Sequence, residues 1–308
     1  MGISPYGAQY LLHAKAAGAD FRSLATIGRQ GFYVEPRPLK KMLASAGHPA
    51  TTAAIRELRE GADGYAEPFF RLLGAERVDS FDASDFEAAT FVHDMNRPIG
   101  AEFAQRYSTV LDSGTLEHVF NFPVAIENCM RMVAVGGCYI GITPANNWFG
   151  HGFYQFSPEL YYTVFSEENG FEIVEMLAFE EVDRPVWYVV KSPRELRERV
   201  TLMNSQPVYL CVMARRVRQT EIFAQYPQQS DYVARWKPAE AAAPVSYYAP
   251  PESRPLPIRL AKRVLPHDLR QSIRRTFDVR RVFRRPPEQQ SRGFAPKYFQ
   301  RIGPTPGG

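Results

Sequence analysis

Between Tyr107 and Val217 short apolar runs alternate with stretches of helical period, and this pattern constrains the chain more than any other feature. Phe122, Ala125, Ile126, Cys129, Met130 and Val133 recur at steps of three and one, so they line one stripe of a helix. Glu127, Asn128 and Arg131 fall on the opposite, wet side. Asn121 is the expected cap, Pro123 fits the first turn, and Gly136-Gly137 is the expected left-handed exit. The runs on either side, ending at Val110-Leu111 and beginning at Cys138, then read as strands joined by a crossover helix. Such strand-helix-strand units build a parallel sheet covered by helices on both faces.

The pattern continues downstream. Ser157 and Pro158 open a helix through Leu160, Val164 and Phe165 that Asn169-Gly170 stops, and Phe171 to Phe179 follows as a strand. Val208 to Met213 is an unbroken apolar run suited to a strand buried on both faces. Arg194 to Arg199, between those strands, reads as a solvated helix. Upstream, Ser23 to Gly28 and Arg77 to Asp82 read as the first two strands, with Pro68 to Leu73 in a helix and Ala89 to Asp94 as a third strand. Residues 29–66 are expected to be a partly helical insertion. The fold class is therefore α/β, with a domain over residues 1–220.

Charge separates the rest. From Lys237 onward there are fifteen Lys and Arg against five Asp and Glu, while the whole chain carries only +4, so the body is acidic and the tail basic. Many of the 25 prolines lie in that tail, which breaks long helices and strands. We therefore expect an irregular, Pro/Arg-rich extension over residues 221–308, with a short basic amphipathic helix near residues 266–278. Its arginines suit docking on the acidic body first and peripheral contact with an anionic membrane second. No motif for specific nucleic-acid recognition accompanies them.

The longest apolar run, Met132 to Ile142, is about half of the ~20 residues a membrane-spanning helix needs, so no transmembrane segment is expected. The N-terminus shows no secretory pattern, and Tyr6 stands where a myristoylation signal wants Ser or Thr. A cytoplasmic protein is the expectation. Cys129, Cys138 and Cys211 lack zinc-site spacing and read as small core residues, and no metal site is expected.

In an open parallel sheet, ligands bind beyond the carboxyl ends of the strands. Asp82, Asp94 and Asp112 stand at three such ends. The segment Leu111-Asp112-Ser113-Gly114-Thr115-Leu116-Glu117-His118-Val119, followed by the helix and Gly136-Gly137, resembles the central signature of class I S-adenosylmethionine-dependent methyltransferases. The likeness spans roughly residues 20–217. It implies a Rossmann-like seven-stranded sheet, helices on both faces, whose last strand, Val208 to Met213, is antiparallel.

S-adenosylmethionine is the cofactor that the resemblance implies. Asp82 resembles the ribose-binding acid, Asp94 the adenine-contacting position, and Asp112, Gly114 and Glu117 the segment beside the methionine moiety. The glycine-rich loop departs from the family pattern: only Gly28 and Gly31 remain, with Arg29 and Gln30 between them. Those two glycines are the expected close-approach positions for the cofactor.

For an acceptor hydroxyl the reaction needs a base, and His151 is the first candidate, His118 the second. His151 lies in a loop rich in aromatics and amides, where Asn146, Asn147, Trp148, Tyr154 and Gln155 are the expected acceptor contacts. The expected function is methyl transfer to a hydroxyl of a saccharide or other small polar molecule, as in polysaccharide biosynthesis. The alternative is a catalytically inactive interaction module on the same fold.

Overall fold

The structure is a computed structural model, and it describes residues 2–236 and 293–302. The expected basic helix at 266–278 and the arginine-rich stretch assigned to membrane contact lie outside the described residues.

The chain opens with β1 (Gly2–Ile3) and α1 (Pro5–Ala16), followed by β2 (Ser23–Ile27) and β3 (Gly31–Phe32). Three helices come next: α2 (Pro36–Ser45), α3 (Thr52–Glu60) and α4 (Glu67–Leu72). Then follow β4 (Arg77–Asp82), β5 (Phe91–Val92), β6 (Tyr107–Ser113), α5 (Phe122–Met132) and β7 (Val133–Pro144). The last elements are α6 (Pro158–Val164), β8 (Phe171–Glu180), β9 (Tyr188–Val190), α7 (Pro193–Leu196), β10 (Val208–Arg216), α8 (Ser230–Trp236) and β11 (Phe299–Arg301).

Nine strands form one sheet in the order β11-β9-β8-β10-β7-β6-β2-β4-β5. From β5 to β7 every neighbour is parallel, whereas β10 runs antiparallel between β7 and β8. This is the inserted antiparallel strand that the sequence implied at Val208 to Met213. Period-two alternation sorts the strand side chains onto two faces. Leu24, Leu111, Ile140 and Ile142 join the apolar cluster under α1 to α4, while Ala25, Ile27, Val110, Tyr139 and Val212 join the cluster under α5 and α6. β9 and β11 lengthen one edge, so residues 299–301 of the expected extension pair with the body.

Some local expectations are corrected. Helix α5 ends at Met132, and Gly136-Gly137 lies inside β7, between the pairings Tyr107↔Val133 and Thr109↔Cys138. That uneven spacing is a bulge, and a Cβ on Gly137 would come 2.7 Å from the Ser108 carbonyl oxygen. The glycine permits close approach of two strands and does not end a helix. Asn121 makes no side-chain cap; its amide donates instead to the Asn96 carbonyl at 3.1 Å. The third strand is only Phe91–Val92, and the charged helix only Pro193–Leu196, because Arg197 turns left-handed. Helix α1 had no counterpart in the sequence reading, although Ser4 caps it by accepting from the Gly7 N–H at 3.1 Å and Pro5 opens it.

Candidate active site

The turn after β2 holds its shape with few glycines. The Gly28 N–H donates to the Phe81 carbonyl at 2.7 Å, tying the turn to the end of β4. Gln30 is buried, and its amide donates to the carbonyls of Ile27 (2.8 Å) and Gly28 (3.3 Å). An interior side chain thus supplies the bonds that hold the loop, a role for Gln30 that no periodicity or motif in the sequence announces. Arg29 pairs with Glu67 at 2.8 Å, donates to the Glu87 carbonyl at 3.0 Å and lies over the Tyr65 ring. Its charge is therefore engaged within the protein. Gly31 belongs to β3 and sits beneath Tyr33, whose hydroxyl would be 2.7 Å from an added Cβ.

The three strand-end acids occupy different situations. Asp82 is half-buried beyond the last residue of β2 in register, and its carboxylate has no partner among the described residues. Asp94 accepts from the backbone N–H (2.9 Å) and the side-chain amide (2.7 Å) of Asn96, and those bonds hold its carboxyl below the ordinary value. Asp112 is fully buried, level with Ile27 on one side and Gly141 on the other. It accepts from the N–H groups of Thr115 (3.0 Å) and Leu116 (3.2 Å) and from the Tyr139 hydroxyl (3.3 Å). Burial pushes its carboxyl up to about 6, against the pull of those donors. Asp112 acts on the site by bracing the turn that follows it.

That turn carries the reactive groups. The Thr115 hydroxyl donates to the Ile27 carbonyl at 2.6 Å, and a short 3-10 turn, Leu116–His118, follows. Gly114 turns the chain at φ +83, a conformation glycine adopts without strain, and the Glu117 carboxyl lies in ordinary contact range of a Cβ there. Glu117 is 1% exposed; its Oε1 is 3.4 Å from His151 Nε2, and its Oε2 is buried with no partner. Burial, with the Asp112 charge second, pushes the Glu117 carboxyl up to about 8. His118 is exposed at the surface of the turn; partial desolvation of its ring, with the His151 charge second, lowers its proton affinity. The two imidazoles meet edge to face with centroids 5.0 Å apart. Ligand atoms of Glu117, His118 and His151 all lie within 4.8 Å of one another.

The loop after β7 brings His151 there. Its backbone folds onto Glu117, whose carbonyl accepts from the N–H groups of Phe153 (2.7 Å) and Tyr154 (3.2 Å). Gly152 has φ +69, and a Cβ on it would come 2.8 Å from that carbonyl, so only glycine fits.

The amides expected to contact an acceptor hold this loop instead. Asn146 and Asn147 donate to Asn204 Oδ1 (2.8 and 2.9 Å), and Asn147 also donates to the Gln206 carbonyl (2.8 Å). Gln155 accepts from the Trp148 N–H (2.9 Å), the Trp148 indole donates to the Val208 carbonyl (3.0 Å), and Tyr154 donates to the Phe120 carbonyl (2.6 Å). Asn204 went unnoticed in the sequence because it lies more than fifty residues from the loop it anchors. The faces left open are aromatic: Phe120, Phe149 and Phe153 are all exposed.

Gly28 and Asp82 lie on one side of the gap between β2 and β6, and Glu117, His118 and His151 on the other. There the strand order reverses, since β4 and β5 continue to one side of β2 and β6 and β7 to the other. Ligands bind at such a switch point, and the antiparallel β10 between β7 and β8 completes the topology. This strand order, with its inserted antiparallel strand, is the Rossmann-like arrangement that the sequence resemblance implied.

No known family profile matches the sequence, and neither does any curated protein. Solved structures do. TehB from Haemophilus influenzae is 13% identical with a TM-score of 0.33, covering 57% of this chain and 66% of its own, just short of two thirds of its length. The 1,6-didemethyltoxoflavin-N1-methyltransferase of Burkholderia thailandensis, crystallised with S-adenosylhomocysteine, is 13% identical over 70% of this chain and 78% of its own, with a TM-score of 0.37. MccD is 12% identical over 70% of this chain and 99% of its own, with a TM-score of 0.38. Among the described residues, no helix is long and apolar enough to cross a membrane.

Proposed function

We propose that the chain is an S-adenosylmethionine-dependent methyltransferase acting on a hydroxyl of a small polar acceptor, a saccharide of polysaccharide biosynthesis being the leading class. The observation that carries this reading is the switch point itself. On one side stands the half-buried Asp82 carboxylate, with no partner among the described residues, and on the other a buried acid with two imidazoles.

The residues present fit the cofactor. Asp82 is free to accept from both hydroxyls of a ribose, and Arg29, bound to Glu67, directs no unpaired cation at a sulfonium. When bound, S-adenosylmethionine supplies an activated methyl group, so the protein's work is alignment and proton removal. His151, 3.4 Å from the Glu117 carboxyl, is the group positioned to accept the acceptor's proton on its ring. His118, its proton affinity lowered by desolvation and the neighbouring imidazole, stands beside it. Phe120, Phe149 and Phe153 offer ring faces on which a sugar can stack.

Calorimetric titration with S-adenosylmethionine or its demethylated product tests cofactor binding, and absence of heat at millimolar ligand rejects the reading. Incubation of candidate glycans with a methyl-labelled donor, followed by mass spectrometry, tests the acceptor class. Label found only on nitrogen or carbon would reject the hydroxyl.

A further inference from the structure

Glu117 presents an unusual problem. Its carboxyl is 1% exposed, one oxygen has no partner, and the other lies 3.4 Å from an imidazole nitrogen. A buried carboxylate is costly unless it is paired or coordinates a cation. No Lys or Arg reaches it among the described residues, yet His118 and His151 bring two further ligand atoms within 4.8 Å.

We propose that Glu117, His118 and His151 bind a divalent transition-metal ion of the zinc or ferrous class, leaving one or more coordination positions open toward the acceptor cleft. Bonds of about 2.0–2.2 Å from nitrogen and carboxylate oxygen put two ligands of one ion roughly 3–3.5 Å apart. The Glu117–His151 pair already has that spacing, and the exposed His118 ring completes the set by a small rotation. Two imidazoles and one carboxylate form a donor set for zinc or ferrous iron, whereas magnesium and calcium favour oxygen ligands. The surroundings hold the ligands in place. Trp148 packs on the His151 ring with centroids 5.2 Å apart, and Gly152 lets the loop clamp onto the Glu117 backbone. With the ion bound, His151 serves as its ligand in place of the base role, and an open position on the ion would bind the acceptor oxygen and lower its proton affinity. That last role rests on the methyltransferase reading; the binding of the ion does not.

The test uses the untagged full-length chain, stripped with chelator and titrated calorimetrically with Zn²⁺ and, separately, Co²⁺, without methyl donor. One ion per chain is expected, with a visible Co²⁺ absorption of low-symmetry character. Loss of a partner that only orients a ligand costs ~10–100-fold in affinity, so His151→Ala and Glu117→Gln should weaken binding by at least about 100-fold. His151 is in an exposed loop, so its variant tests the site even if Glu117→Gln folds poorly. His48→Ala, outside the cluster, should bind as the parent does. No binding by the parent, undiminished binding by His151→Ala, or an equal loss in His48→Ala would overturn the site. A separate titration with the demethylated cofactor, run on the chelated protein, reports on the methyltransferase reading alone, so either proposal can fail without the other.

Discussion

The two sides of the switch point use their polar groups in opposite ways. On the side of β4, Asp82 stands one residue beyond the pairing with β2, level with Val92 of β5, and its carboxylate has no partner among the described residues. On the side of β6, Asp112, one residue before the end of its strand, lies inside the ladder with β2 and is bonded to the turn it supports. The loop after β7 repeats the lesson, because its amides are spent on Asn204 and Gln206 while its histidine is left accessible. A polar residue at the binding rim of a sheet marks a ligand contact only if the protein has not already satisfied it.

The sharpest way to break this contrast is to remove each acid in turn. Asp112→Ala strands two buried N–H groups, each worth about 1–3 kcal/mol when left unpaired, and should cost about 3 kcal/mol of stability. Urea unfolding measures it, and a loss below 1 kcal/mol would refute the bracing role. Asp82→Ala should leave stability unchanged and weaken binding of the demethylated cofactor by about 1–3 kcal/mol, the scale of hydrogen bonds to a charged group. Calorimetry on the folded variant decides it; equal affinity removes Asp82 from the site.

That pair of acids also shows what could be read from the sequence. The strands, the crossover helix and the acids at strand ends follow from periodicity, and so did the antiparallel strand once the Leu-Glu-His-Val resemblance was noticed. Which acid faces outward does not. It depends on register: Asp112 pairs level with Ile27, while Phe81, one residue before Asp82, holds that level on the other side. The same limit hid the Gly136-Gly137 bulge, since a glycine pair looks alike whether it ends a helix or lets one strand approach another. Gln30 and Asn204 act through partners set by the fold, and no local pattern marks such residues.

A smaller effect sharpens the comparison within the loop. Asn147→Ala removes a side-chain amide whose two N–H groups are shared among the Asn204 Oδ1, the Asn204 carbonyl and the Gln206 carbonyl, at an exposed position. Net hydrogen bonds of this kind contribute about 1 kcal/mol, so stability should fall by about that much. If Asn147 held the acceptor instead, KM would rise while the denaturation midpoint stayed fixed; measuring both separates the two roles.

The smallest effect comes from an ion pair outside either loop, and it sets the background against which the rim is judged. His13, near the end of α1, bonds Glu175 Oε2 at 2.9 Å. That hydrogen bond is the main cause raising the His13 pKa above its ordinary 6.5, with burial opposing it. Because the folded value is the higher one, the stabilisation is fully present below 6.5 and is lost as pH rises through the raised value. The stability difference between the parent and His13→Ala, followed by urea unfolding across that interval, should therefore shrink with increasing pH. A difference independent of pH would mean that His13 contributes through packing alone. Cofactor affinity should not change in either case, since neither partner belongs to the switch point.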